Sequence, residues 1–198
     1  MSVVIAIKKN NRIYMATDTQ VSCGEKQTNP LLESNRKIRR LENGILLGIT
    51  GSVISAQIVY AYSEIFTVPE NGNMTKKHIV KNIIPKLQRL YKERNMLEKN
   101  EDEPNSLPNS LVIAYKDSLF AIGGVFTTTV IGHYLALGNG ADVISAGLAK
   151  LDEETVNDEQ VIRERLVDLL RISESRMRSV SAPFFLIDME RQEFELVD

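Results

Sequence analysis

The sequence predicts an α+β fold built in layers, and three observations carry that prediction. Strand-like and helix-like segments come in grouped runs: strands, two helices, strands, two helices, strands. Grouping of this kind disfavours the strict alternation of a parallel βαβ sheet. Short apolar runs are joined by turn signals, of which Asn43-Gly44 is the strongest, because both residues tolerate positive φ. The helical segments repeat their apolar residues mainly at three- and four-residue steps. A chain of 198 residues is long enough to bury a substantial core, and residues 1–198 are expected to form a single domain.

Each element follows from its local pattern. Val3 to Ile7 and Arg12 to Ala16 read as two strands around the polar turn Lys8-Lys9-Asn10-Asn11. Lys37 to Leu41 and Ile45 to Thr50 form a second hairpin around Glu42-Asn43-Gly44. Gly51-Ser52 then opens a helix from about Val53 to Phe66, with Ile54, Ile58, Val59, Ala61 and Ile65 as its apolar stripe. A second helix is expected from Thr75 to Met96, carrying Ile79, Ile83, Leu87, Leu90 and Tyr91. Pro85 lies inside it and predicts a kink or break, because proline lacks the N–H the helix needs. Glu98 to Ser110 is polar, holds two prolines and reads as a mobile loop.

Strand character resumes at Leu111 to Tyr115 and Leu119 to Ile122, around Lys116-Asp117-Ser118. Val130 to Leu137 reads as one further strand, ending at Gly138-Asn139-Gly140. A helix over Ala141 to Leu151 follows. Asn157-Asp158-Glu159-Gln160 resembles a capping box for a helix to about Ser173. Ala182 to Met189 and Glu193 to Val197 close the chain as a hairpin. The run Thr127-Thr128-Thr129 is internal, has no free amine, and reads as β-strand. Gly138-Asn139-Gly140 reads as a structural turn, since one short glycine turn is weak evidence for a phosphate site.

Bulk composition excludes several function classes. Net charge is −2, with 43% hydrophobic and 25% charged residues, which is no nucleic-acid footprint. The one basic cluster, Arg36-Lys37-Ile38-Arg39-Arg40, alternates around Ile38 as a strand edge does. Cys23 is the only cysteine, so no intramolecular disulfide forms and a reducing compartment fits. One cysteine with the distant His78 and His133 gives no zinc spacing. No apolar run reaches the ~18 residues of a membrane span, and the N-terminus has no signal-peptide pattern. A cytoplasmic protein with no membrane or nucleic-acid partner, no metal and no cofactor is expected.

The N-terminal quarter carries the chemistry. Ser2 stands at the head of the first strand; once Met1 is removed it offers a hydroxyl and an α-amine together. Asp18 ends the second strand within Ala16-Thr17-Asp18-Thr19-Gln20. Lys37 opens the next hairpin within Ser34-Asn35-Arg36-Lys37-Ile38, and Gly51 closes it within Gly48-Ile49-Thr50-Gly51-Ser52. In this arrangement the sequence resembles proteasome β-subunits and the bacterial proteasome-like peptidase that works with an AAA+ unfoldase. Ser55-Ala56-Gln57 continues the register, and a small insertion around Thr28 to Leu32 precedes Lys37. The likeness is specific over residues 2–60 and looser beyond, where Leu135 to Gly140 is similar to a family glycine turn.

The resemblance implies a four-layer αββα sandwich of the N-terminal-nucleophile hydrolase kind. It also implies roles. Ser2 Oγ is the nucleophile and its α-amine the base; Lys37 lowers the amine's pKa by like charge, and Asp18 holds Lys37. The Gly51 N–H is the oxyanion donor, and Ser181 belongs to the network around the terminal amine. Val21, Ile49 and Val53 line a pocket for a hydrophobic side chain of a polypeptide substrate. A homo-oligomeric ring and an AAA+ unfoldase partner are implied too. Serine is small enough for a methionine aminopeptidase to expose it, and no self-cleaving propeptide step is expected. Three positions depart from the family pattern: Ser2 stands where the family favours threonine, Asn139 replaces a serine, and Arg178 replaces an aspartate three residues before Ser181. Asn139 and Arg178 motivate the alternative, a catalytically inactive subunit with a structural or interaction role.

Overall fold

A computed structural model describes residues 3–23, 26–27, 36–100, 103–191 and 193–198. Two candidate features, Ser2 and the insertion at residues 28–32, lie outside the described residues. The chain opens with β1 (Val3–Lys9) and β2 (Arg12–Asp18), then the short β3 (Ser22–Cys23) and β4 (Lys26–Gln27). Next come β5 (Ile38–Arg40), β6 (Leu46–Gly51) and helix α1 (Val53–Ala61), which runs into a 3₁₀ turn at Ser63–Ile65. A continuous helical stretch follows: α2 (Lys76–His78), a π-helical turn (Ile79–Ile83) and α3 (Ile84–Glu93). The chain continues through β7 (Glu98–Asn100), β8 (Glu103–Ser106), β9 (Asn109–Tyr115), β10 (Ser118–Gly123), β11 (Thr127–Ile131) and β12 (Tyr134–Gly138). It finishes with α4 (Ala141–Glu153), α5 (Glu159–Arg176), β13 (Phe184–Asp188) and β14 (Glu195–Val197).

Two five-stranded antiparallel sheets form the middle of the molecule, in the orders β12-β1-β2-β13-β14 and β11-β10-β9-β6-β5. Three apolar layers hold them. Val4, Ala6, Met15, Leu46, Val112 and Ile187 pack between the sheets. Alternate residues of β1, such as Val3 and Ile5, point the other way, onto Ile144 and Leu148 of α4 and Leu166 and Leu170 of α5. On the far side of the second sheet, Leu47, Ile49 and Ile113 meet Val59 of α1 and Leu87 and Tyr91 of α3. Both faces of each sheet are thus covered, giving the αββα layering expected from the sequence.

Several expectations change in detail. The segment 130–137 is not one strand: it breaks at Gly132-His133, and β11 and β12 edge different sheets. Residues 98–110 are not an irregular loop, since β7, β8 and the first residues of β9 lie there. The stripe assigned to α1 includes Ile54, which is 71% exposed, whereas Ser55, Val59 and Tyr60 face inward. Pro85 leaves the helix unbroken but follows a π-turn, in which the Ile84 N–H bonds to the Ile79 carbonyl. Asp158, rather than Asn157, caps α5 by accepting from the N–H groups of Gln160 and Val161. No helix among the described residues is long and apolar enough to cross a membrane.

Candidate active site

The site assembles where β2 ends beside the start of β1. Asp18 is fully buried, and its carboxylate collects three donors. Oδ1 accepts from the Val3 N–H at 2.9 Å; Oδ2 accepts from the Gln20 N–H at 3.1 Å and from Lys37 Nζ at 2.5 Å. Thr17 Oγ1 donates to the Val3 carbonyl at 2.7 Å. Both polar groups of Val3 are therefore tied to β2, which fixes the first residue of β1.

Lys37 reaches Asp18 from the residue preceding β5, and it is only 7% exposed. Burial pulls the Lys37 ammonium below the usual lysine range, against the opposing pull of Asp18. Its backbone is held as well. The Lys37 carbonyl accepts from the Ile49 N–H at 2.8 Å and from Tyr60 Oη at 2.8 Å. The one Tyr60 hydroxyl proton is shared with the Leu47 carbonyl, 3.0 Å away, and burial raises the phenol's pKa.

Gly51 ends β6 with φ +105°, a region that favours glycine. A Cβ there would collide with the Pro108 carbonyl oxygen, so only glycine fits. Val21, Ile49 and Val53, expected as pocket residues, line one cleft of about 360 Å³ together with Lys37, Gly51 and Tyr60. Four of the five predicted catalytic positions are described, and three of them, Asp18, Lys37 and Gly51, converge here.

Ser181 is half-buried and donates its hydroxyl to the Ala182 carbonyl at 3.0 Å. It lies three residues before Phe184, the partner of Asp18 across β2 and β13. Arg178 is exposed and meets the site through its backbone, where its carbonyl accepts from Gln20 Nε2 at 3.0 Å. Asn139 is also exposed and donates to Ser179 Oγ at 3.5 Å. These two departures from the family pattern thus lie on the solvent side of the 178–181 segment. Sequence reasoning missed Tyr60 and Asn109. The Asn109 Nδ2 bonds to the Thr50 carbonyl at 2.9 Å and the Ser52 carbonyl at 3.0 Å, on both sides of Gly51. Only its turn-like neighbours Pro108 and Ser110 are visible locally, and they say nothing about that contact.

Comparison with known proteins gives a consistent result. No protein-family model matches the chain. The chain is 28% identical over 151 residues to the ATP-dependent protease subunit HslV of Macrococcus caseolyticus, covering 74% of each chain. It is likewise 28% identical over 151 residues to that of Staphylococcus carnosus, covering 74% of this chain and 75% of the relative. Among solved structures, Thiobacillus denitrificans BPH superposes with TM-score 0.77 at 19% identity, covering 96% of this chain and 100% of the other. HslV of Trypanosoma brucei superposes with TM-score 0.62 at 15% identity, covering 94% and 98%.

Proposed function

We propose, from the premise that this chain belongs to the proteasome-like β-subunit family, that it is an N-terminal-nucleophile peptidase acting through Ser2. The observation that carries the reading is the Asp18 carboxylate, which holds the Val3 N–H and Lys37 together in a buried setting.

Removal of Met1 frees the Ser2 amine. That amine takes the hydroxyl proton as Oγ attacks a peptide carbonyl. Lys37, a nearby cation, disfavours protonation of the amine and keeps it competent as a base. The oxyanion of the tetrahedral intermediate accepts from the Gly51 N–H, a contact of a kind worth about 3 kcal/mol in the transition state. Collapse breaks the C–N bond, the departing amine receives the proton, and an acyl ester remains on Ser2. Water, losing a proton to the α-amine, then hydrolyses that ester. The cleft lined by Val21, Ile49 and Val53 suits a hydrophobic side chain of a polypeptide substrate.

Assembly and partner follow from the same reading. The similar proteins are named as subunits of an ATP-dependent protease, which supports a homo-oligomeric ring fed by an AAA+ unfoldase. A cytoplasmic setting agrees with the single cysteine. The inactive-subunit alternative is not favoured, since Arg178 and Asn139, which motivate it, are both exposed.

The test is hydrolysis of a fluorogenic peptide by Met1-processed protein and by Ser2→Ala, with mass spectrometry of the N-terminal peptide after treatment with an electrophile. Turnover and Ser2 labelling are expected in the parent protein only. Equal rates in the two proteins refute the reading.

A further inference from the structure

We infer that Asn109 is the positioning residue that aims the Gly51 N–H into the cleft, an assignment that rests on the peptidase reading above. Asn109 begins β9, is 3% exposed and does not line the cleft. Its amide nitrogen has two N–H donors, and both are spent on the turn: one on the Thr50 carbonyl, one on the Ser52 carbonyl. Its Oδ1 accepts from Tyr91 Oη at 3.3 Å, so α3 holds the amide from behind. A side chain satisfied at both ends cannot rotate without stranding buried polar groups.

The consequence for Gly51 follows from the peptide bond. The Thr50 carbonyl and the Gly51 N–H belong to one planar trans unit and point in opposite directions. Drawing the carbonyl onto Asn109 drives the N–H to the other side. That other side is the Lys37 edge. The Ile49 N–H already bonds there, to the Lys37 carbonyl, and strand alternation returns the N–H two residues later to the same edge. β5 starts at Ile38, opposite Gly48, so Gly51 lies beyond the end of that strand, where the cleft opens. The second bond, to the Ser52 carbonyl, fixes the 52–53 peptide, while the Ser52 N–H donates to the Pro108 carbonyl at 3.2 Å and holds the 51–52 peptide. The turn is thus pinned on both sides of the φ +105° residue.

Asn109→Asp keeps the shape of the side chain and removes both N–H donors. In Met1-processed protein with a fluorogenic peptide, it is expected to lower kcat roughly ten- to hundredfold with KM within about twofold, because the oxyanion exists only in the transition state. Amide hydrogen exchange over residues 50–53 is expected to quicken while exchange in β13 stays the same. Tyr91→Phe keeps the amide and removes its anchor; a smaller loss in kcat is expected, and this variant decides the matter if Asn109→Asp does not fold. Unchanged kcat in the folded variants, a rise in KM alone, or unchanged exchange at the turn overturns the assignment. A parent protein that hydrolyses nothing refutes the peptidase reading, and the exchange data then still decide whether Asn109 holds the turn.

Discussion

Lys37 and Arg163 are both buried cations, and they are built for different ends. Arg163, 2% exposed, meets Glu159 at 3.0 Å, Asp188 at 2.5 Å and Glu195 at 2.7 Å. Arg191 meets all three of those carboxylates and Arg12 shares Glu159, and Glu159 and Glu195 are each about one-third exposed, so the cluster reaches water. A delocalised guanidinium with its donors matched is a fixed charge, and this one ties α5 to β13 and β14. Lys37 instead meets a sealed carboxylate, with Asp18 at 0% exposure and the lysine at 7%. Burial there disfavours the charge itself. A cation made structural is surrounded by carboxylates; the cation of the candidate site has, among the described residues, one.

Paired substitutions test that contrast most strongly. Lys37→Met leaves the buried Asp18 without its cation and is expected to cost about 3–5 kcal/mol in denaturant unfolding, whereas Arg163→Met leaves Asp188 and Glu195 still facing Arg191 and is expected to cost less. Only Lys37→Met should abolish peptide hydrolysis, by about a thousandfold or more per folded molecule. Equal loss of turnover in both variants would break the contrast.

A smaller effect isolates the support behind Lys37. Tyr60 has its pKa raised by burial, so above pH about 10 the unfolded chain loses a proton that the folded chain keeps. Bound protons are then fewer in the unfolded state, and stability falls as pH rises, by about 1.4 kcal/mol per pH unit for this one group. Urea titrations of the parent and Tyr60→Phe between pH 9 and 11, the range set by the ordinary phenol pKa, should converge accordingly; parallel curves would place the phenol in water. The smallest effect belongs to the exposed pair Arg89–Glu93 on α3. Arg89→Ala should leave the melting temperature unchanged within error, since such pairs hold little.

Local pattern carried the fold where side chains alternate cleanly or a turn residue is decisive. Asn43-Gly44 fixed the hairpin whose far end is Gly51, and that register brought Lys37 and Asp18 into view. It failed where the cause is tertiary. Val130 to Leu137 is apolar and β-prone apart from Gly132-His133, and a glycine inside a strand pattern marks a bulge as readily as a break, so the change of sheet there is not announced locally. Ile54 fits a helical stripe but lies on the side of α1 away from β6. Tyr60 and Asn109 act by bonding to backbone carbonyls from other elements, contacts that residue identity does not announce.

The change of sheet at Gly132-His133 also sets how the sandwich can come apart. On that flank the two sheets are joined by only two residues, Gly132 and His133, a short covalent hinge that limits how far the β11 and β12 edges can separate. On the opposite flank the closure is lighter: Arg40 of β5 reaches the carbonyls of Asp188, Met189 and Arg191 at the end of β13. Opening of the layers is therefore expected first at the Arg40 side, with amide exchange in β5 faster than in β11 and β12 as the check.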